Sequence, residues 1–209
     1  MKRACFSKNT TELASSAQLN KQGQTHASSI RPLKINFVRM KIINYIAMSF
    51  LMIGCKASNP PLETVPEVDL KRYAGVWYEI AAFPQYFEKG CTCTSAEYQP
   101  TDKNYIKVIN KCQKSGKLSK AVGKAFIVPN SENAKLKVQF FWPFRGDYWI
   151  IELDPDYQWA VVGEASRKYL WILARNQYLD ENIYNDLLKR VSNKGFDISK
   201  IQITKHNCK

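Results

Sequence analysis

The side chains best suited to covalent or metal chemistry in this 209-residue chain are six cysteines and two histidines. Cys91-x-Cys93, with Cys112, Cys208 and His206, could supply a thiolate metal site. An even set of four thiols in an exported chain reads more simply as two disulfides, and three pairings of the four are open. No Gly-x-Ser-x-Gly, His-Glu-x-x-His or phosphate-loop pattern occurs, and beyond residue 54 His206 is the one histidine left to act as a base. Nucleophilic catalysis would then rest on a free thiol, which disulfide formation removes. Arg145-Gly146-Asp147 is a tripeptide of the kind that turns produce by chance. The expectation is a protein that is not an enzyme, with no metal and no cofactor.

Cys55 carries a different chemistry. Residues Met40 to Cys55 hold one cation, a 12-residue apolar run from Ile42 to Ile53, then Gly54-Cys55. The run is far short of the roughly 20 residues a membrane-spanning helix needs, and it has the anatomy of a secretory signal peptide. Met52-Ile53-Gly54-Cys55 resembles the lipobox of bacterial lipoproteins, with Met52 where Leu is usual; a buried helix ending in a chance Gly-Cys is the alternative. The resemblance implies a diacylglycerol on the Cys55 thiol and a palmitate-type chain on its new amino group, three chains where one gives only marginal membrane residence. Lys56 in place of the Asp that marks inner-membrane retention implies the cell outer membrane. Residues 1–39 are rich in Ser, Thr, Gln, Asn and Ala, and read as an upstream extension ahead of a true start at Met40, or as a long leader. The expected organisation is 1–39 leader, 40–54 signal peptide, 55–69 lipidated Cys and flexible Pro-rich tether, and 70–209 a single folded domain.

That division changes the meaning of the charge. The whole chain has 31 Lys+Arg against 18 Asp+Glu, a net +13 that would suit nucleic acid or an anionic membrane. Taking away the eight cations and one acid of residues 1–54 leaves 23 and 17, or +6. Seven lysines, Lys103, Lys107, Lys111, Lys114, Lys117, Lys120 and Lys124, lie in residues 103–131 without one acid, so the rest of the mature chain sums to −1. Nucleic acid is therefore not an expected partner, and a local basic stretch remains.

The elements that must position these residues are β-rich. Runs of β-branched and aromatic residues, separated by turn chemistry, predict strands near 76–83, 92–98, 105–111, 121–128, 135–141, 148–153, 159–163 and 169–175. Beyond Asp180 the period becomes helical, with Ile183, Leu187 and Val191 beside Tyr184 and Leu188, and Gly195 where a helix terminator belongs. A run from Lys200 to Thr204 predicts a short edge strand. Eight sequential strands can close a barrel that holds one small ligand, although a two-sheet sandwich would show the same alternation.

Three motifs choose between these. Gly75-Val76-Trp77, Asp154-Pro155-Asp156-Tyr157 and Tyr169-Leu170-Trp171-Ile172-Leu173-Ala174-Arg175 stand in order, and over residues 70–206 the chain resembles the lipocalin family, in its bacterial Blc-type outer-membrane lipoprotein and apolipoprotein D-like branch. Asp-Pro-Asp-Tyr replaces the family's Thr-Asp-x-Tyr. The resemblance implies an all-β, eight-stranded antiparallel up-and-down barrel with one C-terminal α-helix packed outside. It implies that the Arg175 guanidinium lies over the Trp77 indole and seals one end, a structural role shared with Gly75, Asp154 and Tyr157. It further implies a protein that binds, stores or transports a fatty acid or lysophospholipid for membrane maintenance; a passive envelope module or a Cys-dependent enzyme are the alternatives.

Residue by residue, Leu136, Val138, Phe140, Trp149, Trp171 and Leu173 are expected on the cavity wall, with Phe83, Tyr86 and Phe87 near the rim. Lys114, Lys117, Lys120 and Arg167 are expected at the mouth, facing an anionic head group or membrane. Glu79 shares the face of Trp77 and would need a buried partner. If Tyr98 faces Tyr105 across the second hairpin, Cys91 stands opposite Cys112, which leaves Cys93 for Cys208, as in the apolipoprotein D pattern. The expected partners are a lipid ligand and the membrane through acylated Cys55, with a homodimer left open.

Overall fold

The computed structural model describes residues 60–208. The predicted leader (1–39), signal peptide (40–54) and acylated Cys55 lie outside the described residues. Among the described residues no helix is long and apolar enough to cross a membrane.

Eight antiparallel strands follow one another: β1 (Gly75–Ala82), β2 (Cys91–Gln99), β3 (Ile106–Lys114), β4 (Lys117–Ile127), β5 (Lys135–Gln139), β6 (Gly146–Leu153), β7 (Trp159–Gly163) and β8 (Leu170–Ala174). Each pairs with the next, and β1 pairs with both β2 and β8, so the sheet closes into a barrel rather than a sandwich. A two-residue β9 (Gln202–Ile203) adds to β1 at Ala81 and Ala82. One helical turn, α1 (Leu70–Tyr73), precedes the barrel, capped by the Asp69 carboxylate, which accepts from the Lys71 and Arg72 N–H groups.

Alternation along each strand divides the core in two. Inside the barrel lie Trp77, Tyr98, Val108, Leu136, Ile150, Val162 and Leu173. Outside it, Ile151, Val161, Leu170 and Ile172 meet Leu187 and Val191 of α2 (Glu181–Asn193). That helix starts on an Asp180 cap and ends before Gly195 at φ +87°, a left-handed conformation that glycine adopts without steric cost.

Four expectations are corrected. The tether does not run free to residue 69: Leu62 is buried against the outer core, Val65 N–H donates to the Ile150 carbonyl (3.0 Å) and Val68, fully buried, donates to Glu132 (2.9 Å). Apolar side chains at 62, 65 and 68 are enough to pin a Pro-rich segment across the barrel's base. The link left between the strands predicted at 105–111 and 121–128 is a two-residue turn, because Ser115 and Gly116 both take positive φ (52° and 73°), the geometry that lets β3 and β4 continue to Lys114 and Lys117. The second hairpin is out of the assumed register: Tyr98 pairs with Val108 rather than Tyr105, and Cys91 faces Lys114. An irregularity between Thr92 and Ser95 then brings Cys91 to Cys112 on the diagonal, at a Cα separation of 5.5 Å. Lastly, a bulge in β1 between Glu79 and Ala81 inverts the strand's phase. Glu79 pairs with inward Leu173, whereas Ala82 pairs with inward Trp171, so Phe83 turns outward and packs on Phe196 with ring centres 6.2 Å apart.

Candidate ligand site

The closed end is built by the motif residues. Trp77 is fully buried and its indole N–H donates to the Tyr73 carbonyl at 2.7 Å. The Arg175 guanidinium lies 3.8 Å from the Trp77 ring centre and donates to the carbonyls of Arg72 (2.6 Å), Val76 (2.9 Å) and Tyr157 (3.2 Å). It thus ties β1, β8, α1 and the β6–β7 turn together. Gly75 has φ +95°, and a Cβ there would meet the guanidinium at 3.5 Å. Asp154 accepts from the Gln158 N–H within its turn (3.0 Å), and the Tyr157 hydroxyl accepts from the Asp69 N–H (2.9 Å) while Arg72 stacks on its ring at 4.1 Å.

Above this seal the barrel is filled by Tyr73, Tyr98 and Tyr148, none of them among the expected wall residues. The Tyr148 hydroxyl bonds to those of Tyr73 and Tyr98, each at 2.7 Å. Burial pushes all three phenols well above their ordinary range, so they stay neutral and act as a hydrogen-bonded floor. The signal was present in the register: Leu136 pairs with Tyr148, so an inward Leu136 requires an inward Tyr148.

The same pairing corrects the placement of Trp149. It sits opposite Lys135 on the outer face, where the ammonium lies 4.2 Å over its ring and the outer core packs against it. Tyr86, expected near the rim, borders a hollow on the β9 side of the β1–β2 link. It is 93% exposed on a 3-10 turn (Tyr86–Glu88) in the β1–β2 link. Val138, Phe140, Trp171 and Leu173 face inward as expected, and Leu136 is packed into the closed part of the core.

Open space lies at the mouth. Two hollows of about 350 and 360 Å³ share Phe87, Phe140 and Phe141; the first also meets Val138, Tyr148 and Trp171, the second Cys91 and Cys112. These volumes suit a small-molecule site with mostly apolar walls. Over them stands the β5–β6 loop with Phe141, Trp142 and Phe144 largely exposed, at 77, 86 and 77%. An inner chamber of about 70 Å³ continues toward the tyrosine floor, bounded by Glu79, Glu88, Thr94 and Asn110. The buried partner that Glu79 needs is Thr204, whose hydroxyl donates to the Glu79 carboxylate at 2.5 Å. Burial raises its pKa; the Thr204 bond and the nearby His206 work in the opposite direction. Burial first, and the Glu79 charge second, push the Glu88 carboxyl up to about 8, with the Trp171 side chain as its hydrogen-bonding neighbour.

Of the four basic candidates, Lys114 and Lys117 pair across the exposed tip of the β3–β4 hairpin. Lys120 instead pairs with Lys111 further down, and Lys107 with Lys124. The Arg167 guanidinium is turned away from the mouth, since it donates to the carbonyls of Pro60, Ala165 and Lys194. All four downstream cysteines are joined, Cys91 to Cys112 and Cys93 to Cys208, so the thiols that a metal site or a Cys nucleophile would need are engaged.

The chain matches the family model of the lipocalin-like domain over residues 68–206. It is 40% identical over 152 residues to temperature-induced lipocalin-1 of Arabidopsis thaliana, covering 68% of this chain and 82% of that one. It is 37% identical over 168 residues to the outer membrane lipoprotein Blc of Escherichia coli, covering 77% and 95%. Among solved structures, insecticyanin from the tobacco hornworm Manduca sexta superposes with a TM-score of 0.60 at 25% identity, covering 71% of this chain and 86% of that one. With its closed eight-stranded barrel, its Arg-over-Trp seal and these relatives, the chain belongs to the lipocalin family.

Proposed function

We propose that this lipocalin binds a fatty acid or lysophospholipid in the mouth of its barrel, and stores or carries it for membrane maintenance. The observation that carries the reading is the pair of aromatic-walled hollows above a hydrogen-bonded floor, open at one end and sealed at the other. Each buried methylene contributes about 0.8 kcal/mol, so a twelve-carbon chain gains roughly 10 kcal/mol before ordering costs. Micromolar affinity corresponds to about 8 kcal/mol, which is within reach without any specific polar contact. The family is one of binding and transport proteins, in keeping with a non-enzymatic role.

The same reading places the protein at the outer membrane, the location in the name of its Escherichia coli relative, through acylation of Cys55. The lysine pairs of the β3–β4 hairpin would add a screened attraction toward anionic lipid, Lys114 and Lys117 at the tip foremost. Displacement of a fluorescent fatty acid tests the binding claim. Val138→Trp should abolish it by filling the hollow that Val138 lines, with the folded signal retained; undiminished binding in that variant would remove the barrel mouth as the site.

A further inference from the structure

The apolar mouth does not explain the two carboxyl groups beneath it. Glu79 is 7% exposed, and Glu88, half-buried on the 3-10 turn of the β1–β2 link, borders the same inner chamber. Among the described residues the ion pairs are made by other acids, and neither of these two has a Lys, Arg or His nitrogen within 4.0 Å. One buried and one half-buried carboxyl side by side without a cation are costly to ionise together and call for a partner.

The surrounding groups say which. The inner chamber presents Glu79, Glu88, Thr94 and Asn110, and the Asn110 Oδ1 is buried with no hydrogen-bond partner. A hollow of about 590 Å³ opens from the same carboxyls toward β9, and Gln85 lines it. Gln85 is 8% exposed, with its Nε2 buried and unpartnered. Glu88 and Thr94 border all three spaces, the inner chamber, this hollow and the 360 Å³ mouth hollow, which places the carboxyls at the polar end of the apolar cavity. Carboxylates, a hydroxyl and a free amide oxygen are acceptors that suit a primary ammonium; the free Gln85 N–H suits an oxygen beside it.

We propose that the Glu79–Glu88 pair is a binding site for the primary ammonium of an amphiphile whose amine stands next to an oxygen. This rests on the reading of the mouth as a lipid site and narrows it. The chemistry is shared by long-chain amino alcohols and by ethanolamine head groups. A fatty-acid carboxylate is disfavoured at this end of the cavity, because it would face two acids.

Ammonium binding favours the ionised carboxyls, so the proton that the Glu88 carboxyl holds at neutral pH is released and affinity should rise from pH 6 to pH 8. The titratable and charged groups around the pair are the His206 ring, held at the Glu79 carbonyl, Lys89 and Lys205 on the rim of the β9-side hollow, and Lys111 on the mouth hollow, where it is held by Glu97 at 3.1 Å.

The test is displacement of a fluorescent apolar probe from the full-length chain at pH 7. One pair of competitors is 2-amino-1-dodecanol and dodecanol; the other is lysophosphatidylethanolamine and lysophosphatidylglycerol of equal chain length. The amine member of at least one pair should compete at least tenfold better, and which pair does so identifies the source. Glu88→Gln should reduce that ratio to threefold or less. Calorimetry of the wild-type chain in two buffers of different ionisation enthalpy should show proton release on amine binding, a readout independent of how the variant folds. Ratios near one in both pairs, an unchanged ratio in Glu88→Gln, or no proton release would overturn the assignment. Failure of dodecanol and both lysophospholipids to displace the probe would instead overturn the lipid-site reading, and this one with it.

Discussion

Replacing Arg175 by Ala removes the seal without touching the mouth. The guanidinium makes three hydrogen bonds to carbonyls, at 2.6, 2.9 and 3.2 Å, and one stacking contact at 3.8 Å. A bond from a charged group contributes about 1.5–3 kcal/mol net and a part-exposed cation–π contact about 0.5–1. Because the guanidinium is only half-buried and its partners can in part turn to water, the low end applies to the shorter two bonds and little to the third. The expected loss is about 3–4 kcal/mol, a large fraction of the 5–15 kcal/mol that a domain of this size has available. Arg175→Lys keeps the charge but not the fork that reaches three carbonyls, and should lose about half as much. Urea unfolding of the disulfide-intact protein measures both, and the denaturant slope should be unchanged. Ligand affinity measured where the variant is still folded should match the wild type. A loss below 1 kcal/mol, or lost binding in a folded variant, would refute the purely structural role of the seal.

Other expectations follow from single features. At Gly163 a Cβ would fall 2.7 Å from the Phe196 ring, so Gly163→Ala should destabilise by roughly 1–3 kcal/mol through overpacking under the outer helix, read by thermal unfolding. Removing Cys93–Cys208, which closes 115 residues, should cost more than removing Cys91–Cys112, which closes 21; chain-entropy estimates are about 4.7 against about 3 kcal/mol, checked by unfolding the two double-Ala variants. Because the folded-state pKa of Glu88 lies above its unfolded value, its contribution to stability is present below the unfolded carboxylate range and is lost as pH rises through about 8. Urea midpoints should therefore fall from pH 5 to pH 8.5 in the wild type and fall less in Glu88→Gln.

Strand order, the seal and the outer helix could be read from the chain because each rests on a local period or on a motif with its own geometry. What could not be read depends on register. Trp149, expected inward, and Tyr148, which takes that face, differ by one place, and a one-residue shift exchanges the faces of a strand. Phe83 was misplaced by the bulge at Glu79, a single inserted residue with no composition signal. The Cys91–Cys112 pairing was argued from a register that the structure does not have; the link exists because the irregularity at 92–95 brings the two strands together diagonally. Glu88 is invisible as a site residue in the sequence, since a charged side chain in a loop reads as solvated until the fold sets it on the wall of the inner chamber. The tether at 55–69 reads as flexible because its three prolines outweigh Leu62, Val65 and Val68, which find partners only once the barrel exists.

The central claim is that a lipid chain occupies the barrel mouth rather than a surface groove. Photolabelling with a fatty acid or lysophospholipid that carries a diazirine on its acyl chain, followed by peptide mapping, locates the chain directly. The account predicts adducts at Phe87, Val138, Phe140, Phe141 and Trp171, competed by unlabelled lipid. Adducts confined to the outer face around Tyr184 and Leu188, or labelling that unlabelled lipid does not compete, would contradict it.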